Sequence, residues 1–132
     1  MKKLNEAGRS DGVKGSPLDC VFCKILAGEL PCKKVYEDAY TIAFLPLNPD
    51  HPEHVLVIPK NHCRNIIDCP PKILSMTMDT VQKLTKQLVE KYGCARVVQN
   101  NEAPLQEVFH LHFHIIPCES GNVKQMKGKK MA

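Results

Sequence analysis

Three histidines at alternate positions, His110, His112 and His114, lie in an otherwise apolar run that ends Ile115-Ile116-Pro117. Side chains alternate between the two faces of an extended strand, so this spacing predicts three imidazoles on one face, with Leu111, Phe113 and Ile115 turned into a core. Imidazole titrates near neutrality and serves as nucleophile, general acid or base, or metal ligand. Charging three crowded rings together is costly, and the mixed protonation that results suits nucleophilic and acid–base work. A polar outer strand face accounts for one or two such histidines more readily than for three in strict register.

A second group is Cys20-x-x-Cys23. Two intervening residues let both thiolates grip one ion, although the same spacing occurs without metal. The elements that must position these groups follow from the punctuation of the chain. A short helix is expected from about Asp19 as N-cap, carrying Val21, Phe22, Ile25 and Leu26 and stopping at Gly28. Strands are expected at Lys34 to Glu37, Thr41 to Leu45 and Val55 to Ile58, broken by Pro46, Pro49, Pro52 and Pro59. Pro70-Pro71 opens a long helix whose Ile73, Met76, Val81, Leu84, Leu88 and Tyr92 form one apolar face, opposite Lys83, Lys86 and Glu90, before a Gly93 cap. A strand from Ala95 to Gln99 and the triad strand complete an antiparallel α+β arrangement.

The 132 residues, 43% of them hydrophobic, fit one compact domain. It is expected at residues 19–118, between a flexible leader (1–18) and a basic tail (119–132). No apolar stretch approaches the roughly 20 residues that span a bilayer, and no secretory signal opens the chain, so a soluble intracellular protein is expected. Seven scattered cysteines, an odd number, fit reduced thiols, with Cys32, Cys63, Cys69, Cys94 and Cys118 as simple buried or surface thiols. The net charge of +4 rests largely on Lys124, Lys127, Lys129 and Lys130, a mobile basic end rather than a specific nucleic-acid surface.

The triad, together with Cys20-Val21-Phe22-Cys23-Lys24-Ile25, Val35-Tyr36-Glu37-Asp38, Ala43-Phe44-Leu45, Asn48-Pro49 and His54-Val55-Leu56-Val57-Ile58-Pro59-Lys60-Asn61-His62, resembles the histidine triad (HIT) superfamily in its nucleotide-binding (Hint) branch, over roughly residues 19 to 118. The resemblance implies a HIT-like five-stranded antiparallel sheet with one long and one short helix, paired as a homodimer through the long helix and its neighbouring strand. It implies a structural zinc on Cys20, Cys23, His62 and His110; the alternative is two reduced thiols and two free histidines. It further implies attack by His112 on the α-phosphorus of a nucleotide, giving a nucleotidylated histidine that water hydrolyses. His114 then hydrogen-bonds the phosphate and assists the leaving amine, and His54 supports the site.

Asn100 and Gln106 match further phosphate-site positions. Phe22, Ile25, Phe44, Leu45 and Leu47 are candidates to sandwich a base, though without the family context such residues are more often ordinary core. Three departures stand out. Pro46 replaces an acid that receives ribose hydroxyls, Leu105 replaces a glycine near phosphate, and Glu107 replaces a small hydroxyl with an anion. The implied function is hydrolysis of nucleoside 5′-phosphoramidates, with an AMP- or GMP-like ligand and dinucleoside polyphosphates as second choice. The alternatives are a zinc-stabilised nucleotide-binding dimer with little turnover and a metal-binding protein. A cytoplasmic location, or a nuclear one as well, is expected.

Overall fold

The computed structural model describes residues 19–119. The elements run α1 (Val21–Leu26), β1 (Lys33–Glu37), β2 (Thr41–Leu45), β3 (Val55–Pro59), α2 (Pro71–Tyr92), β4 (Ala95–Val98) and β5 (Phe113–Pro117). The five strands form one antiparallel sheet in the order β1-β2-β3-β5-β4. This is the expected α+β architecture of five strands with one short and one long helix.

Alternation along the strands sorts the core into two layers. Ala43, Val55, Val57, Phe113 and Ile115, with Leu111 just before β5, pack against Val81, Leu84 and Leu88 of α2. Ile42, Phe44, Leu56 and Ile58 point the other way and pack with Cys20 and Phe22. The long helix therefore covers one face and leaves the opposite face for α1 and the histidines. Pro71 starts α2, and Gly93 ends it at φ +90°, donating its amide to Val89 O at 2.7 Å. A side chain is strained in that left-handed backbone, so glycine is the residue that stops the helix there. Thr80 of α2 and Thr41 of β2, both buried, share a hydroxyl hydrogen bond of 2.8 Å across the layers.

Several expectations need correction. The N-cap of α1 is Cys20, not Asp19: its extended backbone turns Sγ toward the Cys23 amide at 3.3 Å. Val21 of that helix is exposed, and Ile25 and Leu26 are only partly buried. The triad strand is shorter than the histidine run. The ladder starts at Phe113, opposite Val57, because beyond it the Leu111 amide is drawn to Cys63 O at 2.8 Å. Cys94 and Cys118 are disulfide-bonded, Cα to Cα 5.3 Å, rather than reduced. Ala95 pairs with Pro117, so these cysteines face each other one step beyond the ladder. Cys20, Cys23, Cys32, Cys63 and Cys69 form no disulfide. The leader and, apart from Glu119, the basic tail lie outside the described residues. Among the described residues, no helix is long and apolar enough to cross a membrane.

Two substitutions separate packing from backbone geometry. Leu84→Ala, in the layer under the sheet, is expected to lower unfolding free energy by about 2 to 5 kcal/mol. Gly93→Ala, which touches only the helix stop, is expected to cost about 1 to 2 kcal/mol. Urea denaturation of both variants checks the order.

Candidate functional site

Four sulfur and nitrogen donors converge where α1 meets the triad. Sγ of Cys20 and Cys23, with one ring nitrogen each of His62 and His110, all lie within 4.8 Å of one another. Helix α1 brings the two sulfurs together because Cys20 is its cap and Cys23 lies in its first turn. Nδ1 of fully buried His110 is 3.3 Å from Cys20 Sγ and 3.5 Å from Cys23 Sγ, and Nδ1 of His62 is 3.2 Å from Cys23 Sγ. His110 Nε2 donates to Pro59 O at 2.9 Å, which places the proton on Nε2 and the lone pair of Nδ1 on the sulfur side. The Cys23 thiol, and after it His110 and His62, hold Cys20 far below the ordinary thiol range against the opposing effect of burial; the same contact pushes Cys23 up. Two soft sulfurs and two borderline nitrogens fit tetrahedral zinc.

His112 is held differently. Its Nδ1–H donates to His110 O at 2.7 Å, so in the neutral ring Nε2 carries the lone pair. The ring is 9% exposed and meets Phe22 edge-on at 5.3 Å and His114 at 5.0 Å between centroids. Burial pushes its pKa below the ordinary histidine value.

His114 is governed by a relay. The Asp50 amide donates to His54 Nδ1 at 3.0 Å, so neutral His54 carries its hydrogen on Nε2 and donates it to His114 Nδ1 at 2.9 Å. The hydrogen of neutral His114 therefore sits on Nε2. Burial, followed by repulsion from His112 and His54, lowers His114 to about 4, and burial also lowers His54.

The other positions named from sequence separate into groups. Phe22, Ile25 and Phe44 gather on the histidine face, with Phe22 and Phe44 edge-to-face at 5.4 Å. Leu45 packs against the layer under α2 on the opposite face, and Leu47 is 97% exposed beyond the strand. Asn100 is half-buried and Glu107 exposed. Gln106 is buried, and its amide is used within the protein: Nε2 donates to Arg64 O at 2.7 Å and Val108 O at 2.9 Å, while Oε1 accepts from Asn65 at 3.0 Å and the Glu102 amide at 2.8 Å. It organises the loop instead of pointing out of it. Sequence reasoning missed the roles of the Pro59 carbonyl, the Asp50 amide, Asn65, Arg64 and Glu102. None of these has a local sequence signal, since each acts through a residue distant in the chain or through backbone.

The His114 shift has a consequence for stability. Folding lowers the ring from the ordinary histidine value of 6.5 to about 4, so the unfolded state binds the proton more tightly. The penalty is absent above the upper value, grows as pH falls between the two, and is complete below the lower one. Thermal midpoints measured across that range are expected to fall less steeply for His114→Asn than for the wild type.

A family model for the HIT domain matches residues 27–121. An uncharacterized HIT-like protein of Methanocaldococcus jannaschii is 41% identical over 111 residues, which span 82% of this chain and 85% of that protein. Adenosine 5'-monophosphoramidase HNT1 of Saccharomyces cerevisiae is 40% identical over 99 residues, spanning 74% of this chain and 61% of the yeast protein. The crystal structure of a zinc-bound histidine triad family protein from Mycobacterium smegmatis has a TM-score of 0.74 and 31% identity, covering 81% of this chain and 80% of the other. On sequence and fold alike, the chain belongs to the HIT, or histidine triad, family.

Proposed function

We propose that this protein is a nucleotide hydrolase that cleaves the phosphorus–nitrogen bond of nucleoside 5′-phosphoramidates. The observation that carries this reading is the complementary tautomer pair: His112 with an Nε2 lone pair beside His114 with an Nε2–H. The yeast relative named as an adenosine 5'-monophosphoramidase supports the bond and an AMP-like ligand.

In this mechanism Nε2 of His112 forms a bond to the α-phosphorus while the phosphorus–nitrogen bond breaks. The charge that appears on the imidazole is met by the His110 carbonyl, which already accepts Nδ1–H. His114 presents Nε2–H to the phosphate oxygens and the departing nitrogen, and His54 keeps that hydrogen outward by occupying the other ring nitrogen. Water then attacks the nucleotidylated histidine, the Nε2–phosphorus bond breaks to return neutral His112, and the proton lost by the water replaces the one that the departing amine carried away. Alignment and hydrogen bonds to nonbridging oxygens supply most of the catalysis in such a reaction. Phe22, Ile25 and Phe44 offer the apolar surface for a base. Cys20, Cys23, His62 and His110 would hold a zinc ion, which would cross-link α1 to the triad rather than supply chemistry on phosphorus.

A second reading, a zinc-stabilised nucleotide-binding dimer with little turnover, is favoured by the engaged amide of Gln106 and by Pro46, Leu105 and Glu107 at positions where the family resemblance implies an acid, a glycine and a small hydroxyl. The expected homodimer has support in the partly exposed Val89 of α2 and Val97 of β4, a helix and an edge strand that stand side by side on one flank.

Turnover of a fluorogenic adenosine 5′-phosphoramidate by wild type is expected to fall by about 10⁴-fold or more in His112→Ala, since loss of a nucleophile removes the whole covalent route. Equal rates in the two proteins, with AMP still bound, would transfer support to the scaffold. Elemental analysis is expected to give about one zinc per chain, lost in Cys20→Ala and His62→Ala. Folded protein without metal in the wild type would remove the zinc from this account.

A further inference from the structure

The loop that leads into the triad is clasped from outside the site. Glu102 stands in the left-handed region at φ +71°, a backbone that side chains rarely adopt. Glycine would fit that backbone freely but would bring no carboxylate. The carboxylate of Glu102 takes the Arg64 guanidinium in a two-pronged pair, Nε to Oε2 at 2.9 Å and Nη2 to Oε1 at 2.9 Å, and accepts Asn65 Nδ2 at 2.6 Å. The same guanidinium lies 4.1 Å above the Phe109 ring, the residue before His110. Asn65, 1% exposed, also donates to Gln106 Oε1, and Gln106 returns a hydrogen bond to Arg64 O.

These contacts join two segments that also meet through the Leu111 amide on Cys63 O and the Ile66 amide on Asn101 Oδ1. One segment begins just after His62, and the other carries Asn100 to Glu107 and ends at His110. Neither Arg64 nor Glu102 belongs to the cysteine–histidine cluster or to the histidine relay.

We propose that Arg64 and Glu102 are positioning residues, which lock the 100–107 loop and, through the Phe109 ring, the run that enters the triad, so that His112 and the phosphate are aligned for attack. The inference rests on the hydrolase reading above. Planar two-point pairing fixes orientation as well as distance, which a single point charge does not. Strain at a loop residue whose side chain is fully engaged marks a place where the surrounding structure dictates backbone shape.

The test is steady-state hydrolysis of the adenosine 5′-phosphoramidate by the metal-loaded protein and by Arg64→Ala, Arg64→Lys, Glu102→Gly and the Arg64→Ala/Glu102→Gly double variant. Zinc content and thermal midpoint are recorded for each, with assays well below every midpoint. The proposal expects zinc retained and kcat lowered by about tenfold to hundredfold in Arg64→Ala and Glu102→Gly. It also expects a smaller loss in Arg64→Lys, and a double variant no slower than the slower single, because the two act as one unit. Glu102→Gly relieves the backbone strain, so its activity loss alongside retained stability separates positioning from a merely structural role. Wild-type kcat in the folded variants, or losses that multiply in the double, would overturn the proposal. If wild type and His112→Ala are equally idle, the hydrolase reading fails instead. Calorimetric binding of AMP then decides the clasp: affinity weakened in Arg64→Ala sustains it, and unchanged affinity overturns it.

Discussion

The hydrogen bond from His110 Nε2 to the Pro59 carbonyl is the constraint on which the rest of the site depends. Proline supplies a carbonyl at the end of β3 but no amide, so the strand ladder ends there and its last acceptor is left for a side chain. Once His110 satisfies it, the ring is fully buried with Nδ1 turned to Cys20 and Cys23. That single choice removes the first triad histidine from the reacting face and ties it to α1. It also leaves the His110 carbonyl free to orient His112.

Much of the fold could be read directly from the chain. Alternation in β2, β3 and β5 separates Ala43, Val57 and Ile115 from Phe44, Leu56 and His114, and the three-to-four-residue rhythm of Leu84 and Leu88 marks the covering helix. The cysteine and histidine cluster was visible as four residues of two types with compatible chemistry, and the structure brings those four together. Legibility failed where partners are chosen by tertiary register. Cys94 and Cys118 face each other only because Ala95 falls opposite Pro117, a pairing that cysteine counting does not reveal. Leu45 next to Phe44 looked like base-pocket surface, yet the strand period that turns Phe44 toward the histidines must send Leu45 to the helix. Gln106 carries the residue type of a phosphate contact, but its amide is consumed by Arg64, Asn65 and Glu102.

The two layers of the sheet divide labour along physical lines. The α2 face is apolar and closely packed, with Thr41 and Thr80 bonded to each other where polar groups enter it. Such packing resists deformation, so it holds the strands still while the opposite face carries the histidines. That opposite face buries His54, His110 and His112 with a hydrogen bond on each ring. A buried imidazole without a partner would be costly, and with one it gains a defined tautomer.

Chemical roles within the triad then follow from what touches Nδ1 or Nε2 rather than from position in the motif. His110 donates from Nε2 and so presents Nδ1 as a donor atom for metal. His112 donates from Nδ1 to a carbonyl and so presents the Nε2 lone pair. His114 accepts at Nδ1 from His54 and so presents a hydrogen. Three identical side chains in one short run thus present three different groups, an Nδ1 lone pair, an Nε2 lone pair and an Nε2 hydrogen. The partners are a proline carbonyl, the carbonyl of the preceding triad histidine and a fourth histidine fixed by the Asp50 amide. Burial reinforces the assignment, because it lowers His54, His112 and His114 below the ordinary histidine value and keeps those rings neutral where tautomer has meaning. A charged ring would donate from both nitrogens, and the distinction between nucleophile and hydrogen-bond donor would vanish.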